Sequence, residues 1–124
     1  MKYLSGIDMV DIDRIARSLE NPRFLGEVFG PEEQAELQKK GEKRRLESAA
    51  GAFAAKEAFG KALGIGLVGF DLNEVQILHN EKGTPYFALC GRAKALAEAQ
   101  NLQFSLSITH TASTAAAIVI AWAE

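Results

Sequence analysis

This 124-residue chain is poor in the side chains that build soft-metal and nucleophilic sites, with one cysteine and two histidines. Cys90 has no partner for an internal disulfide, no zinc spacing exists, and no Cys-His or Ser-His-Asp set is present for covalent catalysis. Cys90 adjoins Gly91 at the end of an apolar strand and reads as a small core residue. Long hydrophobic runs are also missing. The longest near the end, Ala115 to Ala123, falls far short of the roughly 20 residues that span a bilayer, and Met1-Lys2-Tyr3 leads into no signal-peptide hydrophobic region. A cytoplasmic protein without membrane contact is therefore the expectation. Charge of one sign is lacking too: 14 Lys and Arg against 16 Asp and Glu give a net charge of −2, so nothing draws the chain generally to nucleic acid. No internal repeat or low-complexity segment appears.

What remains is a chain with 48% hydrophobic residues. It suits one globular domain, residues 1–124, burying roughly two-thirds of its unfolded surface, with no room for a second. The pattern predicts a strand over 3–9 with Asp8 at its carboxyl end, then a helix over 12–20 from the spacing of Ile12, Ile15, Ala16 and Leu19. Asp11 fits an N-cap and Asp13 the first turn of that helix. A loop is expected through Asn21-Pro22-Arg23. Gly30-Pro31-Glu32-Glu33 starts a helix that Gly41 ends, and a longer helix runs from about Glu42 to Leu63, closed by Gly64. Gly64, Gly66 and Gly69 then make a flexible loop. Val75 and Ile77 mark a strand, Asn80-Glu81-Lys82-Gly83 a turn, and Pro85 to Leu89 the hairpin partner. A short helix around Ala93, Leu96 and Ala97 finishes near Asn101. Phe104, Leu106 and Ile108 alternate with polar residues as a half-buried strand, and Ala115 to Trp122 reads as a fully buried one. The order describes an α+β fold with an antiparallel sheet.

The densest chemistry lies in the long helix, in Phe53-Ala54-Ala55-Lys56-Glu57-Ala58-Phe59-Gly60-Lys61-Ala62-Leu63-Gly64. At about 100° per residue Glu57 shares a face with Leu46, Ala50 and Phe53, and Lys61 sits one turn on. A carboxylate there faces the core or a cleft and needs a compensating cation, either Lys61 itself or a metal. The plainer alternative is a Glu-Lys i,i+4 pair on a wet face, worth about 0.2 to 0.5 kcal/mol. Asp8 supplies a second carboxylate at a strand end, where open sheets place ligands. Two hard carboxylates suit Mg²⁺, which takes one or two of them plus substrate phosphates and water.

Basic residues are clustered. Arg14 and Arg17 share a face of the first helix with Arg23 just beyond, and Lys39, Lys40, Lys43, Arg44 and Arg45 surround Gly41; such clusters are ordinarily solvated faces. Gly83-Thr84-Pro85 reads as a turn, Thr109 and His110 end a strand, and His79 reads as a strand-end surface residue.

Gly6-Ile7-Asp8 with Arg14-Ile15, followed by Phe53 to Ala58 and Lys61 to Gly64, resembles the paired signature of the phosphopantetheinyl transferases. The short chain and the tail Ser105-Leu106-Ser107-Ile108-Thr109-His110-Thr111 resemble the bacterial holo-[acyl-carrier-protein] synthase subgroup. The resemblance covers essentially the whole chain and implies an antiparallel sheet packed against a long helix. It implies transfer of 4′-phosphopantetheine from coenzyme A to a serine of apo acyl carrier protein, in support of fatty acid biosynthesis. Asp8 and Glu57 would hold Mg²⁺ and, with Lys61 on the leaving phosphate, form the catalytic set. The base for the serine proton stays open between Glu57 and a metal-bound water. Coenzyme contacts would come from Lys43, Arg44, Phe53, Lys61, Gly83, Thr84, Pro85, Thr109 and His110. Arg14, Arg17 and Arg23 would dock the carrier protein, and the working unit would be a homotrimer with active sites between protomers. Ala52 departs from the pattern, since relatives often carry Arg there; the loss of one phosphate contact would affect how tightly the coenzyme is held. A Mg²⁺-dependent nucleotide phosphodiesterase, or a non-catalytic binding module in which Glu57 and Lys61 merely pair, are the competing readings.

Overall fold

A computed structural model describes residues 2–123; Met1 and Glu124, the ends of the expected domain, lie outside the described residues. The elements are β1 (Tyr3–Asp11), α1 (Ile12–Ser18), α2 (Pro22–Val28), α3 (Pro31–Gln38), α4 (Glu42–Ala62), β2 (Val75–His79), β3 (Pro85–Leu89), α5 (Gly91–Ala99), β4 (Leu102–His110) and β5 (Thr114–Ala123), with a 3-10 turn at Leu72–Glu74 before β2. β1, β5 and β4 form one antiparallel sheet in that spatial order, while β2 and β3 form a separate antiparallel hairpin. The expected α+β class holds.

The long helix α4 packs across the three-stranded sheet, and its composition explains how closely. Ala49, Ala50, Ala54, Ala55 and Ala58 are all buried; alanine is the strongest helix former and keeps the helix surface low. On β1, Gly6 completes the approach. A methyl group at Gly6 would lie 2.0 Å from the Ala58 carbonyl oxygen, so the strand lies directly against the helix backbone there. Asp8, two residues along the same face, is carried to the helix with it. Around this contact Phe59 stacks with Phe70, Phe87 and Phe104 at centroid separations of 5.3–5.4 Å, within the range of favourable aromatic pairs.

A buried ion pair ties α4 to the rest. Lys56 is fully buried, and its Nζ donates to Glu33 Oε1 at 2.8 Å, to the Leu72 carbonyl at 3.0 Å and to the Val75 carbonyl at 2.6 Å. Glu33 in turn accepts from the backbone N–H groups of Gly30 and Ile77, each at 2.9 Å. Burial pushes the Glu33 carboxyl up and the Lys56 amine down, and each ion opposes the shift in the other. Every polar valence facing the interior is occupied, the condition under which a buried pair is tolerated.

Several local expectations need correction. A helix, α2, occupies the expected loop at Asn21-Pro22-Arg23: the Asn21 side chain accepts from the Arg23 N–H at 3.0 Å and Pro22 sits in the first turn, an ordinary helix start. Asp11 stands at the N-cap of α1, but its side chain makes no capping bond; the Ile12 N–H instead donates to the Ser113 carbonyl at 2.9 Å. Asp8 is not the strand's last residue, because pairing with β5 carries β1 on to Asp11. Cys90 is exposed at the start of α5 rather than in the core. β5 is buried on one face only. Ala115, Ala117, Val119 and Ala121 point at α4, whereas Ile118 is 41% exposed. On that outer face Ile118 lies opposite Ile7, and Tyr3, Ile7 and Met9 are each about two-thirds exposed. The glycine loop after α4 is tied down: the Ile65 and Gly66 N–H groups both donate to the Gly60 carbonyl at 3.1 Å.

Candidate active site

Three residues from two distant segments meet where β1 crosses α4. Lys61 Nζ donates to Asp8 Oδ1 and to the Ile7 carbonyl, both at 3.0 Å. The Lys61 ion pair is thus made across the fold to Asp8, and not along the helix to Glu57 as the i,i+4 alternative required. The Asp8 side chain is only 10% exposed, and its second oxygen, Oδ2, is buried without a hydrogen-bond partner. Leaving a buried carboxylate oxygen without a donor costs about 1–3 kcal/mol.

Glu57 lies beside it. Its carboxyl is pushed up to about 7, first by partial burial and then by the Asp8 side chain; Lys61 and Arg14 pull the other way. Lys61 bonds to Asp8 and not to Glu57, and the pull of Lys61 and Arg14 does not offset burial and the Asp8 charge at Glu57. A hard divalent cation would relieve the Asp8–Glu57 repulsion and satisfy Asp8 Oδ2, so the residues fit Mg²⁺, which needs no more than two protein carboxylates when substrate phosphates complete its shell. Among the described residues no group of three or more His, Cys, Asp or Glu is gathered.

The expected coenzyme contacts fall in a different place. A cavity of about 230 Å³ is lined by Arg44, Glu47, Ser48 and Gly51 of α4, Ile77 and His79 of β2, Gly83, Pro85, Ile108 and His110. Arg44, Gly83, Pro85 and His110 are thereby brought together, while Asp8, Glu57 and Lys61 lie outside this lining. The hairpin turn is set by the Asn80 side chain, which accepts from the Lys82 and Thr84 N–H groups at 2.9 and 3.0 Å, with Gly83 at φ +83°, a conformation glycine adopts freely. His110 Nδ1 lies 3.7 Å from Glu47 and 3.1 Å from the Thr111 carbonyl.

The remaining expected contacts are dispersed. Phe53 is buried with its ring 5.9 Å from that of Phe24. Thr84 lines a neighbouring groove with Tyr86 and Ser105. Thr109 sits on the outer face of the sheet, paired in register with Ala116, and Lys43 is exposed near the start of α4. Ala52 borders a narrow crevice with Ser48, Lys40, Glu36 and His79. Arg14 and Arg17 are exposed on α1, and Arg23 on α2 pairs with Glu27 at 3.3 Å. Arg45 leaves its basic cluster to cap α3, donating to the Leu37 and Lys40 carbonyls at 3.1 and 2.8 Å.

Sequence reasoning gives Lys56 no role, since no local pattern shows that its partner is Glu33. His79 is exposed at the end of β2, as expected, and it also borders the cavity.

A family model described as the 4′-phosphopantetheinyl transferase superfamily matches residues 5–119. The chain is 39% identical over 123 residues to a holo-[acyl-carrier-protein] synthase of Caldanaerobacter subterraneus, covering 98% of this chain and 95% of that one. Among solved structures, holo-[acyl-carrier-protein] synthase from Neisseria meningitidis superposes with TM-score 0.87 at 32% identity, covering 96% of this chain and 97% of that one. The ACPS–CoA complex of Chronobacterium ammoniagenes superposes with TM-score 0.86 at 29% identity, covering 100% and 99%.

Proposed function

The chain belongs to the 4′-phosphopantetheinyl transferase superfamily, and we propose that it transfers 4′-phosphopantetheine from coenzyme A to a serine of apo acyl carrier protein, releasing adenosine 3′,5′-bisphosphate. The observation that carries this reading is the contact of Asp8, Glu57 and Lys61 with Asp8 Oδ2 left unsatisfied. Mg²⁺, when bound by Asp8 and Glu57, supplies neutralisation of the pyrophosphate charge that grows as the anhydride breaks. Lys61, steered by Asp8 and the Ile7 carbonyl, lends its Nζ charge or a proton to the departing phosphate. The serine oxygen bonds to the phosphorus that carries pantetheine, the anhydride bond breaks, and its electron pair leaves with the adenosine bisphosphate. The serine proton goes to a base at the acidic pair, Glu57 or a water. Such transfer rests on positioning and charge rather than on a covalent protein intermediate, which agrees with the lack of a Cys-His or Ser-His-Asp set in the sequence.

The working unit in this reading is a homotrimer whose active sites lie between protomers. Two features support it. The acidic pair and the Arg44–His110 cavity occupy separate regions of one chain, so a neighbour's cavity could complete the site. The outer face of β1 and β5 exposes Tyr3, Ile7, Met9 and Ile118, an apolar surface of the kind that oligomer contacts cover. Arg14, Arg17 and Arg23 form the docking face for the acidic carrier protein. The exposed thiol of Cys90 suits the reducing cytoplasm.

Mass spectrometry of apo acyl carrier protein incubated with the protein, coenzyme A and Mg²⁺ tests the proposal. The expected result is a carrier protein heavier by one phosphopantetheine, dependent on Mg²⁺. Release of free phosphopantetheine without carrier protein would mean a phosphodiesterase, and carrier-protein binding indifferent to Mg²⁺ without any mass change would mean a non-catalytic module.

A further inference from the structure

His79 ends β2, paired in register with Pro85 across the hairpin. Its Nδ1 lies 3.2 Å from Glu36 Oε1 on α3. Glu36 borders a narrow crevice that His79 also lines, together with Lys40, Ser48 and Ala52, and is not among the residues lining the 230 Å³ cavity, whereas His79 is. The carboxylate therefore backs the imidazole and takes one ring nitrogen, leaving Nε2 as the nitrogen that can meet a ligand, as when a carboxylate orients a histidine toward its target.

The surroundings favour an anion. His79, Arg44 and His110 all line the cavity, and each histidine has a carboxylate at hand, Glu36 for one and Glu47 at 3.7 Å for the other. Glu47 also borders the cavity, and His110 stands against its charge. A guanidinium and two imidazoles with ring N–H groups to donate suit a phosphate, whose ionised oxygens make charge-assisted hydrogen bonds. The His79 side chain is 35% exposed, and the short side chains of Ser48 and Ala52 beside it leave the ring uncovered, whereas a histidine serving only the core would be packed.

We propose that His79, held by Glu36, is a phosphate-contacting residue of the cavity between α4, β2 and β4, and that it strengthens binding of the adenosine bisphosphate end of coenzyme A. The inference rests on the coenzyme reading above. Arg44 and His110 belong to the expected contacts; His79 and its support from α3 do not.

The test is calorimetric titration of adenosine 3′,5′-bisphosphate, with coenzyme A kinetics alongside, on the full chain and its variants. His79→Ala should weaken adenosine 3′,5′-bisphosphate by about 5- to 10-fold, the loss of one charge-assisted hydrogen bond at a half-open site. The KM for coenzyme A should rise by a similar factor, with the loss falling on KM rather than kcat. His79→Gln, which keeps a polar side chain without the ring that Glu36 orients, should recover only part of the affinity, and Glu36→Gln should weaken binding by about 2- to 3-fold. Titration with dephospho-coenzyme A locates the contact: a His79 effect that vanishes places it on the ribose 3′-phosphate, and one that persists places it on the pyrophosphate. Affinity and KM within twofold of wild type in His79→Ala overturn the proposal, as does full recovery in His79→Gln. If the wild-type chain modifies the carrier protein while His79→Ala matches it, only this inference falls; if the wild type binds no adenosine bisphosphate, the coenzyme reading falls as well.

Discussion

Replacing Glu57 with glutamine should abolish most turnover and yet stabilise the protein above neutral pH. The Glu57 carboxyl titrates at about 7 in the fold against 4.5 for the ordinary side chain. Below 4.5 the group is neutral in both states and contributes nothing. Between 4.5 and 7 unfolding releases its proton, so stability falls as pH rises, and above about 7 the full penalty remains. At about 1.36 kcal/mol per pH unit the gap corresponds to a ceiling of about 3.4 kcal/mol. Glu57 is partly buried and still reached by water, and screening reduces the penalty to about 1–2 kcal/mol. Glutamine keeps the shape and carries no charge. In a chelating buffer at about pH 8, Glu57→Gln should therefore melt about 3 to 8 °C above wild type by scanning calorimetry at equal protomer concentration. The advantage should close at about pH 4.5, and excess Mg²⁺ should raise the melting temperature of wild type but not of the variant. A variant that melts at or below wild type at the higher pH, or an advantage of equal size at both, refutes the assignment of repulsion and burial at this pair.

Three further outcomes are expected. Reversing Arg14 and Arg17 to Glu should raise the carrier-protein KM about tenfold or more at low salt and spare adenosine bisphosphate binding, since rim charges act on association and are screened by salt; an unchanged KM would place docking elsewhere. Mixing inactive Glu57→Gln chains with inactive His110→Ala chains should restore part of the activity, because some interfaces then join two intact halves; a mixture that stays inactive, or a fully active monomer in sedimentation, refutes the shared site. Lys56→Met should destabilise the fold by about 3–5 kcal/mol in denaturant titration because Glu33 is left buried without its counter-ion, and adding Glu33→Leu should return most of it.

What was readable in the sequence was local or periodic. Alanine and phenylalanine spacing gave the long helix, alternating residues gave the hairpin and the sheet strands, and the pairing of Asp8 with the Lys-Glu motif singled out the acids. Asn21-Pro22 is equally local evidence for a helix start, although a proline-containing stretch also suits the loop expected there. β5 looked fully buried because composition cannot distinguish a face turned to a helix from one turned outward; only the register with β1 separates Ala117 from Ile118.

Chain order is silent about partners far apart in it. Whether Lys61 would meet Glu57 four residues away or Asp8 across 53 positions depended on how close β1 could come to α4, and the missing side chain of Gly6 is what lets it come so near. In the same way Lys56 found Glu33, and Glu36 found His79, only because α3 packs against α4 and β2. Residue type set which groups could hold a proton, a cation or a phosphate; tertiary packing determined which of them met, which lost water, and hence how far the Glu57 carboxyl moved.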